Sequence, residues 1–253
     1  GYKFYFNRGG KRLTDVDKIL GKQDSYEIKV NKTTNVVTVY AKDGNKGYII
    51  PVKAFVCSGG DTTPLGTFCT PAKGRWWTLM GPCYGQWDTL ITGDILFHSV
   101  YYGEEDPTTL SVSAYNMLGT TCSHGCIRLK AGDAKWIYDN CPSGTGVTIY
   151  DDAVNPGPLG KPDSIKIPED SAYAGWDPTD PDENNPWNAY SAKIEGAKDI
   201  QTKIGQSIDV MTGVTATDTC GNDITAKIVT VGRYTFDQTG TYDIKYEVTD
   251  AIG

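Results

Sequence analysis

From Tyr26 onward, apolar and polar residues alternate. Tyr26, Ile28 and Val30 sit between Glu27 and Lys29, the period-two signature of a half-buried strand. Asn35-Val36-Val37-Thr38-Val39-Tyr40 follows a polar turn. Lys42-Asp43-Gly44-Asn45 is a hairpin signal. The next run, Tyr48–Cys57, is long and β-rich, and Pro51 marks an edge strand or a bulge within it. Asp94-Ile95-Leu96-Phe97 has the look of a buried strand and delivers His98 at its end. Gly146–Tyr150 closes the series. One convincing helix runs from Asp133 to Asn140, with Ala134, Ile137 and Tyr138 on one face and Pro142 as its stop. A shorter helical signal lies near Tyr115–Leu118. Many short strands with one main helix predict a mostly β domain.

The pattern changes on both sides of this domain. Residues 1–24 read as the tail of a preceding module plus a connector, because Tyr2, Phe4 and Phe6 alternate. Residues 25–150 form the main domain. Residues 151–192 are a Pro/Asp-rich linker. Its first 37 residues hold seven of the 13 prolines and nine acidic residues against two lysines. Trp176 and Trp187 are costly to leave in water, so part of the linker is expected to pack back on the main domain. Residues 193–253 return to period two. Tyr242, Ile244, Tyr246 and Val248 predict a strand, and Val210-Met211 and Ile224–Val229 supply others. A small β-sandwich, cut short at its C-terminal end, is expected there. The chain opens on Gly1-Tyr2-Lys3 and closes in mid-pattern, which reads as a piece of a longer protein.

At 253 residues the chain has room for a sizeable core. A net charge of −7 argues against non-specific nucleic-acid binding and against docking on an anionic membrane. No run of about 18 apolar residues exists to span a membrane. Seven cysteines without a CxxC pair fit an oxidising, extracellular setting with some disulfides. Cys69–Cys83 is the first pairing to expect. A monomer is expected, and no cofactor.

The chemistry concentrates at Thr121-Cys122-Ser123-His124-Gly125-Cys126-Ile127-Arg128-Leu129. A thiol attacks acyl carbons as thiolate, and an imidazole supplies that form at neutral pH. Two imidazoles are available. His124 is tied to Cys126 by too short a link to be held firmly. His98, at the end of an apolar strand, is the more rigid base, and the backbone carbonyl of Ser99 is placed to orient its ring. The turn Ser123-His124-Gly125-Cys126 also offers consecutive N–H groups that can converge into an oxyanion site. Cys122-x-His124-x-Cys126 is too tight for a usual zinc site, and no metal is expected. Trp76, Trp77 and Trp87 read as core rather than as a sugar platform.

Ser123-His124-Gly125-Cys126-Ile127-Arg128-Leu129, preceded by Phe97-His98-Ser99, resembles the L,D-transpeptidase family with its YkuD-like catalytic domain. Ile28-Lys29-Val30, Val37-Thr38-Val39-Tyr40, Pro51-Val52 and Thr63-Pro64-Leu65-Gly66-Thr67-Phe68 are similar to the N-terminal half of that domain. Gly240-Thr241-Tyr242 and Tyr246-Glu247-Val248-Thr249-Asp250 resemble bacterial Ig-like modules. The first resemblance implies a β-rich sandwich or barrel with one main helix. It also implies Cys126 as nucleophile, His98 as base and Ser99 as its orienter. Ser123, His124, Gly125 and Arg128 would serve the oxyanion and the substrate. The implied substrates are peptidoglycan stem peptides, a donor tetrapeptide and an acceptor amine, joined in a 3→3 cross-link through a cysteine thioester. Water in place of the amine gives carboxypeptidase activity. The implied setting is the wall of a bacterium, Gram-positive by expectation, with carbapenems as inhibitors. The interval from His98 to Ser123 is longer than the family's usual spacing. Residues 101–120, with Tyr101 and Tyr102, are therefore expected to form an inserted substrate flap. Cys122 lies outside the family pattern, as a lock or a switch on the turn. Two other readings compete: a sortase-like transpeptidase using Cys122, and a non-catalytic wall-binding or adhesion protein.

Overall fold

A computed structural model describes residues 1–252 of the chain. Nine strands and three helices build the first 150 residues. They run α1 (Asp17–Leu20), β1 (Tyr26–Asn31), β2 (Val36–Ala41), β3 (Ile50–Val56), β4 (Gly66–Cys69), β5 (Lys73–Thr78), β6 (Tyr84–Thr92), β7 (Ile95–Ser99), α2 (Val112–Tyr115), β8 (Ile127–Leu129), α3 (Ala131–Asn140) and β9 (Gly146–Tyr150). A five-stranded sheet has the order β3-β2-β1-β9-β4, and a four-stranded sheet the order β5-β6-β7-β8. The fold is mostly β, with α3 as its one main helix.

The alternation in β1 follows its position. Tyr26, Ile28 and Val30 enter a core shared with Ile91, Phe97, Ile127 and Leu129 of the other sheet and Ala134 and Ile137 of α3. β2 is buried on both faces, because Tyr2 stacks on Tyr40 and Gly157 lies against Thr38. Pro51 sits on the edge strand β3, where the register shifts opposite Val39 and Tyr40. β7 has β6 antiparallel on one side and β8 parallel on the other. That arrangement sets the last three residues of β7 beside the three of β8, and so His98 beside Arg128.

Four expectations change. Residues 1–20 pack on the main unit: Val16 is buried in its core, and Asp17 accepts from Trp136 Nε1 at 2.7 Å. Residues 101–120 do not form a flap. Tyr102, Leu110, Tyr115 and Leu118 build a second core with Ile165, Ile167 and Trp187 of the acidic stretch, because these few large apolar side chains gain more from burial than from reaching over solvent. Cys69 and Cys83 are not paired: Cys83 sits at the tip of the β5–β6 hairpin, opposite Leu79, whereas Cys69 ends β4 just before the other end of β5. All seven cysteines are free thiols. In the C-terminal stretch, β10 (Lys193–Glu195) pairs with β11 (Thr215–Thr217) and β12 (Val229–Val231) with β13 (Lys245–Glu247). Val210-Met211 forms a turn and the strand at Tyr242–Val248 shrinks to three residues. The expected end of this stretch, Gly253, lies outside the described residues. No described helix is long and apolar enough to cross a membrane.

Candidate active site

The turn that carries Cys126 is held mostly by residues far from it in sequence. Gly59 O accepts from the N–H groups of Cys122 and Ser123 at 3.0 and 2.9 Å. Thr62 Oγ1 donates to His124 O at 2.9 Å and Thr63 Oγ1 to Gly125 O at 2.7 Å. Asn35 bridges the two segments, accepting from Gly59 N–H and donating to Thr121 Oγ1. Ser123 Oγ closes the turn by donating to Cys126 O at 2.6 Å. Two glycines are required. Gly125 has φ +130, and a Cβ on Gly60 would stand 2.2 Å from Ser123 O.

The turn opens on a cavity of about 750 Å³. Cys126, His98, Ser123, His124, Arg128 and Tyr101 all line it, with Trp77, Leu79 and Met80 from the β5–β6 hairpin facing them. Of the expected site residues, Ser99 and Gly125 lie behind its wall. Tyr102 is not a substrate contact. It is fully buried, edge-on to Trp76 and hydrogen-bonded to Gln86. The tryptophans disperse. Trp77 lines the cavity, while Trp87 packs edge-on against Tyr138. Cys122 is not among the lining residues. Its N–H is tied to Gly59 and its carbonyl accepts from Arg128 Nη1 at 3.3 Å, whereas Cys126 lines the cavity with His98.

His98 Nδ1 lies 2.5 Å from the Ser99 carbonyl. A carbonyl can only accept, so Nδ1 carries the proton and Nε2 is the free lone pair. Burial pushes the His98 pKa down to about 4. Arg128 adds to that and the Ser99 carbonyl opposes it. Burial also pushes the Cys126 thiol up, against the Leu96 N–H that favours the thiolate. At neutral pH the resting pair is therefore neutral imidazole and neutral thiol. The thiol's own hydrogen bond goes to Asp94 O at 3.5 Å rather than to the imidazole.

The N–H groups of the turn are unequally engaged. Gly125 N–H is engaged by Ser123 Oγ at 3.1 Å, so this residue shapes the turn. His124 and Cys126 N–H have no acceptor among the described residues. Arg128 stacks over Tyr101 at 5.1 Å from its ring centre. Among the described residues no cluster of three or more His, Cys, Asp or Glu is arranged to hold a metal.

Sequence reasoning missed Asn35, Thr62 and Gly60. Their signal was faint: a polar turn and a Gly/Thr loop that gain meaning only when they meet the 121–126 turn in space.

Comparison with known proteins covers both parts of the chain. Residues 25–149 match the model of the L,D-transpeptidase catalytic domain, YkuD, and residues 192–253 match that of the bacterial surface protein Ig-like domain. YciB of Bacillus subtilis (strain 168), named as an L,D-transpeptidase, is 43% identical over 93 residues, 35% of this chain and 47% of that protein. YbiS of Escherichia coli (strain K12), also named as an L,D-transpeptidase, is 22% identical over 229 residues, 84% of this chain and 69% of that one. A solved L,D-transpeptidase from Mycobacterium smegmatis is 21% identical, with 50% of this chain and 58% of that one covered and a TM-score of 0.39. The chain spans about half the length of the Bacillus relative. Through residues 25–149 the chain belongs to the YkuD family of L,D-transpeptidase catalytic domains, with a bacterial surface Ig-like domain behind it.

Proposed function

We propose that the protein is a peptidoglycan L,D-transpeptidase that forms 3→3 cross-links through a Cys126 thioester. The observation that carries this is the commitment of His98 Nδ1 to the Ser99 carbonyl, which leaves Nε2 as a base in the cavity that Cys126 lines. The Cys126 side chain swings from Asp94 O, and Nε2 takes its proton as sulfur attacks the third residue's carbonyl in a donor stem. The oxyanion forms against the His124 and Cys126 N–H groups. Loss of one such donor elsewhere costs roughly 2.7–4 kcal/mol of transition-state stabilisation. His98 returns the proton to the departing D-alanine. A side-chain amine of a second stem then breaks the thioester, and water in its place yields the trimmed tripeptide. Arg128 organises the turn through Cys122 O, and from the cavity wall it meets a substrate carboxylate in this reading. The protein works as a monomer in the extracellular wall of a Gram-positive bacterium, where the Ig-like domain extends the surface it presents.

Incubation with a carbapenem followed by intact-mass measurement tests the nucleophile. One adduct on the reduced protein, absent in Cys126→Ala and retained in Cys122→Ala, is the expected result. No adduct on the fully reduced protein moves the reading to a non-catalytic wall-binding protein.

A further inference from the structure

His98 is held unequally on its two sides. Toward β8 the ladder is regular, with His98 paired to Arg128 and Ser99 to Leu129. Toward β6 the ladder stops at Thr89 and Phe97, one residue short of His98. Beyond that point β6 departs from strand geometry, with Trp87 at φ 58, a left-handed conformation uncommon for a bulky residue. Here Gln86 N–H donates to Ser99 Oγ at 3.0 Å, in place of a ladder bond. Ser99 is the residue whose carbonyl holds the His98 ring.

Gln86 is in turn fixed from outside the catalytic domain. Its Nε2 donates to Asp180 Oδ2 at 2.6 Å and to Tyr102 Oη at 2.7 Å. Gln86 and Tyr102 are wholly buried and Asp180 nearly so. A buried carboxylate is costly unless its partners are in place, so this contact is a built one. Asp180 belongs to the acidic stretch, beyond the last residue of the catalytic-domain match. Asp177 ties the same stretch to the start of α3, accepting from Ala131 N–H at 2.7 Å. Asn185 Nδ2 donates to the carbonyls of both Asp177 and Asp180.

We infer that the acidic stretch is a strap that sets the catalytic base, with Asp180 as a positioning residue acting on His98 through Gln86 and Ser99. This rests on the reading of His98 as the base, but its test does not need transpeptidation. The charged or titratable groups around His98 are Arg128 from β8, Cys126 and His124 from the turn, Asp88 from β6, and Cys83, Asp94 and Tyr101 along the same cavity. The Asp180 charge reaches this set through Arg75, which interacts with both Asp180 and Asp88, and the Asn variant removes that charge while keeping the hydrogen bond.

The experiment compares the full chain with Asp180→Ala and Asp180→Asn. Asn keeps an acceptor for Gln86 Nε2, whereas Ala removes it. Two quantities are read: the NMR titration midpoint of His98, and the rate at which iodoacetamide alkylates Cys126, followed at that residue by mass mapping. In Asp180→Ala the ring loosens toward solvent. Its midpoint climbs by about one pH unit toward 6.5, and Cys126 alkylation changes by about threefold or more. Asp180→Asn restores most of both. A lowered melting temperature with midpoint and rate unchanged would mean a merely structural strap and overturn the inference. If Asp180→Ala does not fold, Ser99→Ala tests the last link of the chain. The same climb in midpoint is expected, and an unmoved midpoint overturns the inference equally. Absence of carbapenem acylation alongside a shifted His98 midpoint would refute the proposed reaction and leave the strap standing.

Discussion

Replacing His98 by Gln should remove most of the acid sensitivity that this one buried ring imposes on the fold. Gln keeps a donor for the Ser99 carbonyl but cannot be protonated. The magnitude follows from the His98 pKa, held at about 4 against 6.5 for an ordinary imidazole. Above pH 6.5 the ring is neutral in both folded and unfolded chains and adds no pH dependence. As pH falls from 6.5 towards 4, the unfolded chain takes up a proton that the folded chain refuses, and stability is lost. At about 1.4 kcal/mol per pH unit the full window is worth roughly 3 kcal/mol. Two buried carboxyls act with the opposite sign. Burial raises Asp177 to about 6 and Asp88 to about 8. The folded chain holds those protons at higher pH than the unfolded chain does, so these groups add stability as pH falls. Only the difference between wild type and His98→Gln isolates the ring. Urea unfolding followed by tryptophan fluorescence at intervals from pH 7.5 to 4.0 supplies it. The stability of the variant relative to wild type should rise by roughly 3 kcal/mol across that range. A difference constant to within about 0.5 kcal/mol would show that burial does not hold His98 below the ordinary imidazole range, and the account of why the ring stays neutral into mild acid would fall with it.

Gly60→Ala should disable the site with little effect elsewhere. The new Cβ falls 2.2 Å from Ser123 O and 2.8 Å from Gly125 N, both backbone atoms, so the turn must move. A destabilisation of about 1–3 kcal/mol with loss of carbapenem acylation is the expected outcome, and an acylation rate equal to wild type would refute the account of the turn. Trp187→Ala should cost about 3–5 kcal/mol in denaturant unfolding monitored by far-UV circular dichroism, because Trp187 is buried in the second core with Tyr115, Ile165 and Ile167. A cost under about 1 kcal/mol would mean that the strap is only laid on the surface.

The strands were legible because their signal is local. Period two in Tyr26–Val30 and the apolar run before His98 report burial directly, and Pro51 reports an edge because it has no N–H to donate. The partners of the site were less legible. Cys126, His98 and Arg128 stand out by chemical type, while Asn35, Thr62 and Gly60 are ordinary turn residues that matter only through contacts 60 or more residues away in sequence. Residues 101–120 misled for a related reason. Their polar and glycine content reads as loop, yet Tyr102, Leu110, Tyr115 and Leu118 find an apolar face only when the strap folds back. Pro and Asp content in that strap signals a solvated linker. Its acidic side chains instead do specific work, since Asp177 meets the helix start and Asp180 meets Gln86.

The electrostatics of the cavity explain why the thiol is held idle. Arg128 favours a thiolate at Cys126 and disfavours an imidazolium at His98. The Ser99 carbonyl favours the imidazolium, and the Leu96 N–H favours the thiolate. Each charged form thus has a partner, but burial outweighs the partners on both groups, and the neutral pair wins. Moving the proton from sulfur to Nε2 without an acyl group present would create two charges in a poorly solvated site. In the proposed reaction, when a carbonyl carbon stands at sulfur, the negative charge passes on to its oxygen, for which the unengaged His124 and Cys126 N–H groups would be the donors. The positive charge stays on a ring whose Nδ1–H already has its acceptor. Charge separation is then stabilised at both ends only while substrate is bound. In the proposed reaction the proton transfer is coupled to attack, and the turn that presents Cys126 would serve the oxyanion more than it activates the thiol.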